Sequence, residues 1–135
     1  MKIFIDTNIL IDFVCKRHPF YDNVKRLFAL GYIGEVSLVV SSLSFVNTVY
    51  VGKKYGMSSM KSRLKSIVPF IEVSGLSAES VIESLNNEWN DYEDSVQSYS
   101  AESSEADCIV TRNKKDFIKA SLPVYSPDEL LKLFE

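Results

Sequence analysis

The sequence predicts an α/β fold: a three-layer α/β/α sandwich around a central parallel sheet. Three observations carry that expectation. Short, β-branched apolar runs alternate with longer helical segments along the whole chain, the pattern of a parallel sheet with helices on both faces. No internal repeat, low-complexity segment or linker interrupts them, so a single domain over residues 1–135 is expected. The length of 135 residues, with 46% apolar residues, supplies one sizeable core.

The elements follow in order. Lys2–Asp6 (KIFID) is a short apolar run ending in an acid, a buried strand. Asn8–Cys15 is apolar nearly all round, which predicts a buried helix. Pro19 opens a helix over Tyr21–Tyr32, with Gly31 and Gly34 expected to mark its end. Val36–Val40 (VSLVV) is a second strand. Ser41, Ser42 and Ser44 offer cap oxygens for a helix over Leu43–Tyr55, which Gly56 ends, and a basic helix continues over Ser58–Ile67. Phe70–Val73 (FIEV) predicts a third strand, Ser77 caps a helix to about Asn87, and Asp91–Glu105 is another helix. Asp107–Thr111 is a fourth strand, with a turn of helix over Lys114–Ala120 and a fifth strand at Pro123–Tyr125. Ser126-Pro127-Asp128-Glu129 is a capping box with proline at the first helical position, opening the last helix.

Charge is unevenly placed. Lys and Arg number 15 and Asp and Glu 18, a net charge of −3. Residues 53–65 carry Lys53, Lys54, Lys61, Arg63 and Lys65 with no acid, whereas residues 66–111 carry ten acids and no Lys or Arg. Two solvated helix faces of opposite sign account for this blandly; net charge alone decides little about partners. One His excludes His-rich metal centres, and Cys15 and Cys108, far apart and in apolar surroundings, read as free thiols in a reducing cytoplasm. No signal peptide and no membrane-length apolar run are evident. His18 reads as a surface residue, and the five glycines never cluster into a phosphate-cradling loop.

In an open parallel sheet, sites form at the carboxyl ends of the strands. The polar residues falling there are Asp6, Thr7 and Asn8 after the first strand, Ser41 and Ser42 with Asn47 beyond the second, and Thr111, Arg112, Asn113 and Asp116 after the fourth. The helix leading into the fourth strand adds Asp91, Glu93 and Asp94. Each acid taken alone reads as a helix cap, and Asp91 capping a helix with Asp94 at its third position is a sound structural account of that pair; Asn113 has the same option. Several converging carboxylates repel unless a cation lies between them, and oxygen donors without a His or Cys cluster select Mg2+ or Mn2+.

The segments IFIDTNILID at 3–12, SSLSFVNTVY at 41–50, DYEDSVQSYSA at 91–101 and ADCIVTRNKKDF at 106–117 together resemble the PIN domain family, whose bacterial members include VapC-type toxin ribonucleases. The resemblance covers nearly the whole chain. It implies a sheet ordered 3-2-1-4-5 and Mg2+- or Mn2+-dependent cleavage of RNA by three or four acids. It also implies a small antitoxin partner and often a homodimer. By position, Asp6 matches the family's first metal-binding Asp and Asp94 the Asp opening the helix before the fourth strand. Two positions depart: Asn47 stands where the family usually has Glu, and Asn113 where it often has Asp. The expected catalytic set is therefore Asp6, Asp94, Asn47 and Asn113, with Asp116 as a further metal ligand and Asp91 or Glu93 able to restore charge by turning inward. Thr7 or Ser41 would position a water or ligand, with Asn8, Asp91 and Thr111 in support. The basic run 53–65 with Arg112 would hold the RNA backbone. Asp107 precedes its strand and is expected at the wrong end of the sheet.

Two other readings remain. The amides at positions 47 and 113 suit a catalytically weakened scaffold that binds RNA or protein. A receiver-type phosphoacceptor shares the sheet and its strand-end acids, but Ser74 follows the third strand and the required Lys after the fifth is missing.

Overall fold

The computed structural model describes residues 1–135. Five parallel strands, β1 (Lys2–Ile5), β2 (Ser37–Ser41), β3 (Glu72–Ser74), β4 (Cys108–Val110) and β5 (Val124–Tyr125), form one sheet ordered β3-β2-β1-β4-β5. This is the α/β architecture and strand order expected. The helices are α1 (Thr7–Val14), α2 (Tyr21–Tyr32), α3 (Ser42–Lys54), α4 (Met60–Ile67), α5 (Ala78–Leu85), α6 (Tyr92–Ser103) and α7 (Pro127–Lys132).

Alternation along the central strands builds two cores. Ile3 and Ile5 of β1, with Leu38, Val40, Cys108 and Val110, pack under α1, α2, α4 and α7 through Leu10, Leu27, Leu64 and Leu130. Phe4, Val39 and Ile109 point to the other face, against Ala101 of α6 and Phe117. The period of two thus sorts neighbouring residues into opposite layers.

Three local expectations are corrected. The third strand begins at Glu72, because Pro69 sits in a 3-10 turn over Val68–Phe70. It is an edge strand with Glu72 and Val73 exposed, so the sheet is not covered throughout. Gly31 does not end α2: it lies inside the helix, where an added Cβ would come within 2.6 Å of Leu38 Cδ1, so its lack of a side chain lets α2 approach β2. The Ser126 capping box forms as read, with Pro127 opening α7.

Parallel pairing brings Asp6, Ser41, Ser74, Thr111 and the end of β5 to one edge of the sheet. Asp107 lies at the opposite edge, where its Oδ2 accepts from the Lys2 amide at 2.7 Å.

Candidate active site

An open cleft of about 610 Å³ runs along the carboxyl edge. Asp6, Thr7, Asn8, Asn47, Asp91, Glu93, Asp94, Asn113 and Asp116 line its acidic side, and Arg17, Lys54 and Arg112 supply its cations.

Asp6 stands at the β1–α1 junction, 3% exposed. The Thr7 amide donates to its Oδ1 at 2.8 Å, and the Thr111 hydroxyl donates to its Oδ2 at 2.7 Å. Burial nonetheless dominates and, with Glu93 and Asp91 nearby, pushes its carboxyl up to about 6. Asp91 is the N-cap of α6, its Oδ1 accepting from the Asp94 amide at 3.0 Å. The capping account of Asp91 therefore holds for its own side chain, and the Asp94 carboxylate is left to turn into the cleft. Asp94 is 9% exposed, and burial followed by repulsion from Asp6, Asp91, Glu93 and Asp116 pushes it up to about 8.

One oxygen each from Asp6, Glu93 and Asp94 lies within 4.8 Å of the others. No protein cation is inserted among them. Three hard oxygen donors at that spacing, two of them (Asp6 and Asp94) pushed toward protonation, fit a divalent cation of the Mg2+ or Mn2+ type. Asn8 Oδ1 is buried without a hydrogen-bond partner on the same cleft wall and adds an oxygen donor to that edge.

Glu93 is the third member that the sequence offered only as a substitute. Gln97, which sequence reading missed, holds it in place. Gln97 is fully buried, and its Nε2 lies 3.0 Å from Glu93 Oε1, 2.8 Å from Thr7 Oγ1 and 2.7 Å from Ser44 Oγ. Its Oε1 accepts from the Ser41 hydroxyl at 2.8 Å. The only sequence signal was the spacing of four that places residues 93 and 97 on one helix face.

Other expected residues fall differently. Asp116 and Asn113 line the cleft but are exposed, and Asp116 lies outside the close carboxylate set. Asn113 makes no side-chain cap. Asn47 reaches the cleft wall from α3. Ser41 is wholly buried, its oxygen accepting from the Ser44 amide while its hydroxyl faces Gln97, so it is a structural group rather than a water-positioning one. Of the basic run, Lys54 alone lines the cleft. Lys53 and Lys61 line a separate depression beside Met57 and Met60, Lys65 is exposed on α4, and Arg63 donates to the Val14 carbonyl at 2.5 Å. Arg112 also reaches the cleft, paired with Asp12 through one edge of its guanidinium.

Residues 2–115 match the PIN domain family, so the chain belongs to that family. No curated protein matches it by sequence. Among solved structures it is similar to VapBC2 from Rickettsia felis, bound to a DNA fragment from its promoter, at 20% identity and TM-score 0.68, covering 93% of this chain and 98% of that one. A toxin–antitoxin complex from Klebsiella pneumoniae matches at 25% identity and TM-score 0.65, covering 93% and 97%. VapC20 of Mycobacterium tuberculosis, a sarcin-ricin loop cleaving toxin, matches at 13% identity and TM-score 0.62, covering 79% and 86%. No helix is long and apolar enough to cross a membrane.

Proposed function

We propose that this chain is a divalent-metal-dependent endoribonuclease, the toxin half of a toxin–antitoxin pair. The observation that carries the reading is the uncompensated Asp6–Glu93–Asp94 set on the cleft floor. Bound there, Mg2+ or Mn2+ would supply an activated water and neutralise charge developing on a phosphate. The chain's own residues preorganise that floor: Thr111 and the Thr7 amide fix both oxygens of Asp6, Gln97 fixes Glu93, and Asp91 pins the first turn of α6. Lys54 lines the cleft wall and would meet an RNA backbone bound there. Asn47 and Asn113 contribute neutral amides, so metal affinity rests on the three carboxylates. Membership of the PIN domain family supports the nuclease reading, and the likeness to the Rickettsia and Klebsiella complexes supports a small antitoxin partner.

The test is cleavage of single-stranded RNA with Mn2+ by wild type and Asp6→Ala. Metal-dependent cleavage in wild type, abolished in the variant, is expected. Equal activity in both removes the assignment. RNA bound but left intact by wild type favours the weakened scaffold, the reading motivated by Asn47 and Asn113.

A further inference from the structure

A second charged cluster stands on the same cleft. Asp12 of α1 is fully buried, yet it faces the arginines of two distant segments. Arg17 Nε donates to its Oδ1 at 2.8 Å, with Nη2 2.7 Å from the same oxygen. Arg112 Nε donates to Oδ2 at 2.6 Å, and its Nη2 to Oδ1 at 3.3 Å. Arg112 also lies 3.8 Å over the Phe20 ring, which fixes the plane of its guanidinium. Arg17 Nη2 reaches the Asn8 carbonyl at 3.4 Å.

One carboxylate thus holds two guanidiniums, leaving the cluster at net +1. A guanidinium carries five N–H donors, and the Nη1 group of each arginine has no protein partner. Both side chains keep solvent access, 41% for Arg17 and 25% for Arg112, and both line the cleft that carries the acidic floor. A buried pair needed only for stability would be satisfied by a single arginine. Two preorganised forks with free edges, beside a site for a phosphodiester, match the geometry in which arginine binds phosphate.

We propose that Arg17 and Arg112, held by Asp12 as a positioning residue, form a phosphate clamp for the RNA backbone flanking the acidic floor. The clamp rests on the reading of this cleft as an RNA site. It places the substrate against the carboxylates, whose own negative charge would otherwise repel it.

The test is binding of a fluorescein-labelled single-stranded RNA by anisotropy, in EDTA and over a range of salt, in an Asp94→Asn background so that cleavage is not needed. Arg17→Ala leaves Arg112 to pair Asp12, so the fold is expected to persist. It should weaken binding roughly three- to tenfold and lower the slope of log Kd against log salt by about 0.7, one phosphate contact on a single strand. Arg26→Ala, an exposed α2 residue paired with Glu135, should change neither. In wild-type protein, the guanidinium N–H resonances of Arg17 and Arg112 should shift on RNA titration while those of Arg26 do not, a readout independent of how any variant folds. Unchanged affinity and slope in Arg17→Ala, equal losses in Arg26→Ala, unmoved Arg17 and Arg112 resonances, or no RNA binding at all would each overturn the clamp. Failure of wild type to cut RNA with Mn2+ would instead remove the nuclease and leave the binding result standing.

Discussion

Replacing Asp94 by Asn is expected to stabilise the metal-free protein, and increasingly so as pH rises. Every neighbour acting on Asp94 disfavours its charge: burial first, then Asp6, Asp91, Glu93 and Asp116. Its carboxyl is held at about 8 in the fold against 3.8 as the reference value. Between those two pH values the unfolded chain has released a proton that the folded chain retains. Stability is therefore fully present below about pH 4 and is lost as pH rises toward about 8. Because solvent reaches the cleft, the displacement is discounted to a cost on the order of 2 kcal/mol at the upper end. Asn removes that cost with little change of shape. Urea unfolding in EDTA should show Asp94→Asn more stable by that amount near pH 8 and level with wild type near pH 4. Mn2+ should then raise the wild-type unfolding free energy more than the variant's, by about 2.7 kcal/mol at a hundredfold excess over Kd if only the wild type binds. A variant less stable than wild type at pH 8 in EDTA, or a gain that does not vary with pH, would refute the charge-repulsion argument.

Three further outcomes follow from the packing. Gln97→Leu leaves Ser41, Thr7 and Glu93 without a shared partner in a dry interior and should cost roughly 2–4 kcal/mol in thermal or urea unfolding; a loss near zero would mean water takes its place. Asp12→Ala removes charge-assisted hydrogen bonds from two guanidiniums that solvent still reaches and should cost about 1–3 kcal/mol by the same assay; an unaffected midpoint would mean that water replaces the carboxylate. Gly52→Ala in α3 should destabilise by about 1–3 kcal/mol despite the roughly 1 kcal/mol that alanine gains in a helix, because its Cβ would lie 2.0 Å from Met60 Cγ of α4; a stabilised variant would show that Met60 repacks freely.

The layout was legible where one residue type has one local use. Alternating Ile3, Phe4 and Ile5 gave β1 its two faces, and Ser126 with Glu129 wrote the start of α7. Asp6 alone reads as a helix cap, and it does cap α1; it was legible as a site residue only because other polar groups fall at the neighbouring strand ends. Legibility failed where tertiary contact decides. Gln97 sits in a polar helix that reads as solvent-facing, and only the packing of α6 on the sheet buries it. Glu93 rather than Asp116 joins the carboxylate set because the Asp91 cap fixes the rotation of α6, whereas Asp116 lies on an exposed turn. The bond from Arg112 to Asp12 spans 100 residues, so no local pattern announces it. The basic run 53–65 looked like one groove, but Lys53 and Lys54 point about 100° apart around α3, so only Lys54 meets the cleft, and Lys61 lies beyond the turn on α4 beside Lys53.

The account turns on a divalent cation held by Asp6, Glu93 and Asp94, and a calorimetric titration of the purified protein with Mn2+ at neutral pH addresses it directly. Saturable binding is predicted, with a heat that changes with the ionisation enthalpy of the buffer, because Asp94 at about 8 must give up its proton to bind. The same titration of Asp94→Asn should show weaker binding and less proton release. No saturable binding up to millimolar Mn2+, or binding unaltered by Asp94→Asn, would contradict the account.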